Sequence, residues 1–213
     1  MEDLLNIYSK INHLNVSREA CLDFEEFIDL VLDRNKEINI ISKKTAIKKI
    51  IRNRHVIDSV QAIDLIELNC DIVDLGSGGG FPGIIMAIIA KHQKREIRVS
   101  LFEKSHHKSS FLREVTRKLN LDTEIIQKDI FQMPELNSGI IMARAFKPMP
   151  IVLELVNQKF KEYKNLILFM GKNGKKVLEE SLNEWKFDYI EKESLTSEDS
   201  FLVSIKNIRK KII

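Results

Sequence analysis

The sequence predicts an α/β fold: a largely parallel sheet with helices on both faces, an antiparallel C-terminal hairpin and a helical N-terminal cap. Three observations carry this. Residues 1 to about 70 contain neither glycine nor proline, and their apolar positions recur at helical spacing. From residue 71 onward, short apolar runs alternate with amphipathic segments, the pattern of strand–helix crossovers in a parallel sheet. The last two apolar runs have no helix between them, which makes them a hairpin. The expected organisation is a helical cap over residues 1–70 and a sheet domain over 71–213.

The elements follow in order. Phe24, Phe27, Ile28, Val31 and Leu32 keep the three-and-four spacing of a buried helix face, as do Ile47, Ile50, Ile51, Val56, Val60 and Ile63. Cap helices are expected at about 3–12, 17–38 and 44–67, with Ser17 and Thr45 as N-caps. Asp71–Leu75 reads as a buried strand, followed by a glycine-rich turn and a helix from Pro82 to about His92. Strands are expected at Ile97–Glu103, Thr123–Asp129, Gly139–Ala145 and Leu166–Met170. Helices are expected at about His106–Leu119, Met149–Phe160 and Lys175–Trp185. Phe187–Glu191 and Phe201–Asn207 complete the chain as the antiparallel pair. A parallel sheet closed by such a pair is the arrangement of the Rossmann-like class I S-adenosylmethionine-dependent methyltransferase fold.

Composition bounds the alternatives. With 213 residues, 44% of them apolar and 31% charged, and only 8 glycines and 4 prolines, the chain can bury a sizeable core and is neither disordered nor repetitive. Cys21 and Cys70 cannot form a disulfide framework and have no metal-ligand spacing, so reduced thiols in the cytoplasm and no metal are expected. Met1-Glu2-Asp3 lacks the basic start of a signal peptide, and the most apolar stretch, Gly83–Ala90, is far shorter than the ~20 residues that span a bilayer. No membrane association is expected.

Net charge is only +3, so the placement of charge matters more than its sum. From Lys43 to Arg54 stand Lys43, Lys44, Lys48, Lys49, Arg52 and Arg54 without an acid among them. Such a run is either a solvated helix face or a surface that contacts phosphates.

The most informative segment is Asp74-Leu75-Gly76-Ser77-Gly78-Gly79-Gly80-Phe81-Pro82-Gly83, set between a strand and a helix. Glycines there let the main chain turn sharply and approach a ligand closely. A dinucleotide fingerprint fits only from Gly78 to Gly83 and would place Pro82 inside its last turn. The Gly76-x-Gly78-x-Gly80 spacing after an acidic strand residue is the methyltransferase form. Glu103 ends the second strand about 20 residues beyond Gly80, where a carboxylate can accept both ribose hydroxyls of an adenosine. Asp129-Ile130-Phe131 ends the third strand, where an adenine would lie. Three strand ends in register point to S-adenosylmethionine, held by Gly76, Ser77, Gly78, Glu103, Asp129, Ile130 and Phe131.

The methyl acceptor is narrowed by what is missing. Enzymes acting on exocyclic adenine amines carry an Asp/Asn-Pro-Pro-aromatic segment after the fourth strand; here it reads Ala143-Arg144-Ala145-Phe146. Methylation at pyrimidine C5 needs a cysteine nucleophile, and neither cysteine lies at the sheet's active edge. Guanine N7 presents an in-plane lone pair and needs no general base, so a site with a positioning arginine suits it. Arg144 is the candidate catalytic residue, with a structural ion pair as the alternative. His55, Asp58 and Ser59 share one helix face, for packing, capping or catalysis.

Taken together, His55-x-x-Asp58-Ser59, the Asp74–Gly83 loop with its Phe-Pro-Gly ending, Lys108-x-x-Phe111-Leu112 and Ala143-Arg144-Ala145 resemble the bacterial 16S rRNA guanine-N7 methyltransferase family RsmG (GidB). The resemblance runs over about residues 30 to 175. It implies methylation of the guanine at position 527 of 16S rRNA; 16S rRNA or the small ribosomal subunit is the expected partner, and a monomer is expected. Gly76 and Phe81 then bind the cofactor, Ile130 and Phe131 lie at its adenine, and Arg144 is the family's fourth-strand arginine. Lys43, Lys44, Lys48, Arg52, Arg54 and Lys108 become the expected RNA surface. Asn39-Ile40-Ile41, Asp129-Ile130-Phe131 and Met170-Gly171 depart from the family pattern. Against this stand a same-fold methyltransferase acting on a small molecule or protein, a non-catalytic RNA-binding module and, weakest, a nicotinamide oxidoreductase. Salt-sensitive RNA affinity separates the first two readings.

Overall fold

A computed structural model describes residues 4–67, 69–94 and 96–212. The acidic Met1-Glu2-Asp3 start, and with it the first residue of the expected first helix, lie outside these residues. The cap opens with α1 (Leu4–Ile7) and a 3-10 turn over Ser9–Leu14, so the expected single helix is two short pieces. Helix α2 (Arg18–Arg34) begins as expected: Ser17 Oγ accepts from the Ala20 amide at 3.1 Å. It ends four residues earlier than expected, because Asn35 Oδ1 accepts from the amides of Ile40 and Ile41 at 2.8 and 2.9 Å and folds the chain back.

The expected helix over 44–67 is also corrected. Thr45 does not cap it; its hydroxyl donates to the Ser42 carbonyl within a 3-10 turn over Lys43–Thr45, and Ile47 precedes the helix in extended conformation. The rod then runs as α3 (Lys48–Ile51), a π-helical stretch Arg52–Ile57, α4 (Asp58–Val60) and a 3-10 end Gln61–Leu65. A π segment is a rarity that widens the helix by one residue per turn, and here it re-aims His55 and the Arg54 carbonyl toward the sheet.

The chain continues with β1 (Ile72–Leu75), α5 (Gly83–His92), β2 (Val99–Phe102), α6 (His106–Lys118) and β3 (Thr123–Ile126). A short β4 (Leu136–Asn137), β5 (Ile140–Arg144), α7 (Met149–Lys159) and β6 (Phe160–Glu162) follow. Last come β7 (Asn165–Met170), α8 (Gly174–Glu184), β8 (Trp185–Glu193) and β9 (Phe201–Lys210). Seven strands form one sheet in the order β3-β2-β1-β5-β7-β9-β8. β9 runs antiparallel to both neighbours and is inserted between β7 and β8, which the hairpin pattern left open. The parallel pair β4–β6, absent from the expected elements, lies apart from this sheet.

Each face of the sheet has its own core. One joins the cap to α5 and α6 through Phe24, Phe27, Ile51, Ile85, Ile88 and Phe111; the other packs α7 and α8 against Leu75, Ile141, Leu166 and Val203. Gly83–Ala90 is buried throughout because α5 is sandwiched between the cap and the sheet, which explains a run too apolar for a surface helix. No helix of the described residues is long and apolar enough to cross a membrane.

Candidate active site

The strand order places the site. After β1 the chain builds outward to β2 and β3, then returns to the other side of β1 as β5, so the crossovers diverge at the β1/β5 boundary. Ligands of open α/β sheets bind at such a switch point, outside the carboxyl ends of the strands. Register aligns those ends: Leu75 pairs with Phe102 and Ala143, and Phe102 with Ile126. Gly76, Glu103 and Arg144 therefore leave the sheet side by side. A cavity of about 440 Å³ opens above them.

The glycine loop forms its floor. Gly76, Gly78 and Gly80 all have positive φ (69°, 55° and 92°), a region that L side chains rarely enter. Gly83 serves a different need: Asp74 Oδ2 accepts from its amide at 3.0 Å, and a Cβ there would sit 2.6 Å from that oxygen. Helix α5 starts at Gly83, so Pro82 stands just before the helix rather than in its first turn. Asp74 is fully buried, its Oδ1 has no hydrogen-bond partner, and burial pushes its pKa up to about 7.

Glu103 ties the loop to the second strand. Its Oε2 accepts from the Gly78 amide at 2.9 Å and its Oε1 from the Ser105 amide at 2.8 Å. Ser105 caps α6 and Ser109 Oγ donates to the Glu103 main-chain carbonyl at 2.7 Å, which ties the start of α6 to the end of β2. Each carboxylate oxygen keeps a second lone pair for a ligand hydroxyl. Asp129 turns its carboxylate onto the Phe131 amide at 3.1 Å, opening the short 3-10 turn Ile130–Gln132. Ile130 is buried, while Phe131 remains exposed and stacks on Phe146 with ring centroids 6.1 Å apart.

Arg144 is anchored to the cap through all three of its nitrogens. Its Nε lies 3.3 Å from Asp58 Oδ2, Nη1 donates to His55 Nδ1 at 3.1 Å, and Nη2 donates to the Arg54 carbonyl at 2.6 Å. Burial lowers its pKa from the ordinary arginine value, with Asp58 and Asp74 opposing that shift. His55 packs on Phe81, centroids 5.0 Å apart, and burial, with Arg144 and Arg54 nearby, lowers its pKa to about 4. The imidazole is thus neutral near pH 7 and accepts through Nδ1, which leaves the proton on Nε2. The His-x-x-Asp-Ser face joins cap to sheet: Asp58 and His55 hold Arg144, and Ser59 Oγ donates to the His55 carbonyl at 2.6 Å.

Of the expected cofactor residues, Gly76, Ser77, Gly78, Phe81, Glu103, Asp129, Ile130, Phe131 and Arg144 all line the one cavity. Lys108 lines it too, while Lys43, Lys44 and Arg54 are exposed on the cap. Two expected RNA contacts are engaged elsewhere. Arg52 makes a bidentate ion pair with Glu25 at 2.6 and 2.7 Å, and Lys48 bonds Asp29 at 2.6 Å, so both pin the rod to α2. Ile41, Lys128, Phe146 and Lys147 line the cavity without having been singled out for it. Phe146 and Lys147 were traceable as the residues following a strand end; Ile41 arrives only through the Asn35 turn. A second cavity of about 370 Å³ lies beyond Phe146 at the carboxyl ends of β5 and β7. Among the described residues no cluster of three or more His, Cys, Asp or Glu could hold a metal.

Comparison with known proteins agrees with this geometry. Residues 20–203 match the model of the GidB family, rRNA small subunit methyltransferase G. The ribosomal RNA small subunit methyltransferase G of Pelagibacter ubique (strain HTCC1062) is 55% identical over 212 residues, 99% of this chain and 100% of that protein. Its counterpart in Ruegeria pomeroyi is 34% identical over 197 residues, 92% and 96% of the two chains. A crystal structure of a SAM-dependent methyltransferase from Aquifex aeolicus superposes with a TM-score of 0.56 at 14% identity, covering 73% of this chain and 92% of that one. That likeness is one of fold. The fold is that of the S-adenosylmethionine-dependent methyltransferases, and the chain belongs to the rRNA small subunit methyltransferase G family.

Proposed function

We propose that this chain transfers the methyl group of S-adenosylmethionine to N7 of a guanine in 16S rRNA, position 527 on the family resemblance, acting in the cytoplasm as a monomer on rRNA or the small ribosomal subunit. The observation that carries the reading is the 440 Å³ cavity over three aligned strand ends, floored by a positive-φ glycine loop and walled by Glu103 and Arg144. The residues fit the cofactor. The loop leaves room that a Cβ would fill, and the Glu103 oxygens have lone pairs free for ribose hydroxyls.

When bound, the sulfonium supplies a methyl group activated for in-line displacement. The protein's own work is then alignment, since N7 carries a ready lone pair. Gly76, Ser77, Gly78 and Phe81 shape the floor; Glu103 holds the ribose; Asp129, Ile130 and Phe131 border the adenine. Arg144, a fixed cation at the β5 end, orients the target through O6, a phosphate or the cofactor; a bond to N7 itself would block transfer. The cavity beyond Phe146 is the space for the target base. His55 spends its Nδ1 lone pair on Arg144, which leaves it no part as a base. Lys43, Lys44, Arg54 and Lys108, with Lys104, Lys128 and Lys147 at the rim, form the RNA surface. Lys48 and Arg52 support it from behind.

The test is methyl transfer from labelled S-adenosylmethionine to small subunits lacking the modification, followed by digestion and chromatography. Labelled 7-methylguanosine is expected. Cofactor binding by calorimetry without label on any rRNA nucleoside would transfer the weight to another substrate.

A further inference from the structure

Asp58 has two faces. Its Oδ2 meets Arg144 Nε at 3.3 Å, while its Oδ1 accepts from Gln61 Nε2 at 2.9 Å and Thr196 Oγ1 at 3.0 Å. Thr196 belongs to the loop between β8 and β9, more than 130 residues away in sequence. Gln61, fully buried, locks that loop in place: its Oε1 accepts from the Leu195 amide at 2.8 Å. Neither Gln61 nor Thr196 lines the cavity.

We propose that Thr196 and Gln61 position Arg144 through Asp58, so that the loop joining the last two strands sets the guanidinium geometry in the active site. The proposal rests on the methyltransferase reading above. A carboxylate turns easily about its last side-chain bond. Three donors on Oδ1, Gln61 Nε2, Thr196 Oγ1 and the more distant Ser194 Oγ at 3.4 Å, oppose that rotation and aim Oδ2 at Nε. The relay is continuous from the loop to the strand end, by hydrogen bonds as far as Asp58 and by an ion pair from Asp58 to Arg144, and every member but Arg144 lies outside the cavity. Small displacements of an aligning group cost disproportionately in rate, so loss of one donor shows in turnover before it shows in folding.

The experiment uses the full chain and small subunits that the wild-type protein has first been shown to methylate, so failure of the activity itself is seen before any variant is made. Thr196→Val keeps the size and removes the donor. It is expected to lower kcat about 3- to 10-fold, with KM for subunits, cofactor affinity and melting temperature close to wild type; Thr196→Ser, which restores the hydroxyl, returns kcat to the wild-type value. Asp58→Asn lowers kcat further, and in that background Thr196→Val has no additional effect, because its route to Arg144 is already cut. Wild-type turnover in Thr196→Val overturns the proposal. So do a loss that Thr196→Ser leaves uncorrected and factors that multiply in the double variant. Should Thr196→Val fail to fold, Gln61→Glu in the wild-type and Asp58→Asn backgrounds decides by the same non-additivity.

Discussion

The Gly78 amide donates to Glu103 Oε2 at 2.9 Å, which couples the glycine loop to the end of the neighbouring strand. Glu103→Gln substitutes an NH2 for one carboxylate oxygen and sets a donor against the Gly78 or the Ser105 amide. A hydrogen bond to a charged group contributes about 1.5–3 kcal/mol. Cofactor affinity measured by calorimetry is therefore expected to fall by about tenfold or more, and unchanged affinity would remove Glu103 from the cofactor site.

Arg144→Ala is expected to abolish most methylation and also to destabilise the fold by about 3 kcal/mol, because it strands the Asp58 carboxylate among buried groups. Adding Asp58→Asn removes that stranded charge. The double variant should regain much of the lost melting temperature and none of the activity. Recovery of both together would reduce Arg144 to a structural ion pair.

His55 gives the fold a pH dependence of known sign. Its pKa is about 4 in the folded protein and about 6.5 when unfolded. Between those values the unfolded chain binds the extra proton, so stability falls as pH falls through that window. From pH 7 to pH 5 the wild type should lose about 2 kcal/mol more unfolding free energy than His55→Gln, which does not titrate. Asp74, whose pKa moves upward, contributes to both proteins and drops out of the difference. Parallel losses in urea titrations of the two proteins would show that His55 is not held neutral.

Gly83→Ala tests the buried carboxylate beneath the loop. A Cβ 2.6 Å from Asp74 Oδ2 must push the acid off the amide it accepts from. Overpacking and a broken buried bond together cost about 2–4 kcal/mol, or about 4–16 °C of melting temperature in a chain of this size. A melting curve unchanged by the substitution would place Asp74 elsewhere.

Removing the exposed Lys43 and Lys44 is expected to weaken subunit binding and to reduce the slope of log affinity against log salt by about 1.4–1.8, two phosphate contacts' worth. Melting temperature should stay put. An unchanged slope would take this end of the cap off the RNA surface.

How much of this was legible in the sequence depends on the range of the interactions involved. Strand ends, the glycine loop and Glu103 were readable because period, glycine spacing and strand–loop–helix order are local signals, and the β1-β2-β3 ends then follow from parallel register. The π stretch at Arg52–Ile57 leaves the apolar spacing intact, so nothing distinguished it from ordinary helix. Arg52 looked like a surface charge until α2 folded Glu25 against it from 27 residues away. Asn35 likewise read as helix, since its competition for the Ile40 and Ile41 amides is decided only once the chain reverses. Insertion of β9 between β7 and β8 depends on pairing across the sheet, which alternation along one strand does not encode.

That insertion makes the C-terminal segment a keystone rather than a tail. Among the described residues β8 pairs with β9 alone, and β7 is shielded from solvent on that side by the same strand. A chain interrupted at Ser200 would present the bare edge of β7 and leave Trp185 to Glu193 unpaired, a nine-residue ribbon with Tyr189 and Ile190 outward and nothing to register against. Such an edge recruits other chains. A late frameshift or proteolytic nick, though distant from the glycine loop, would therefore register first as aggregation and only second as lost methylation.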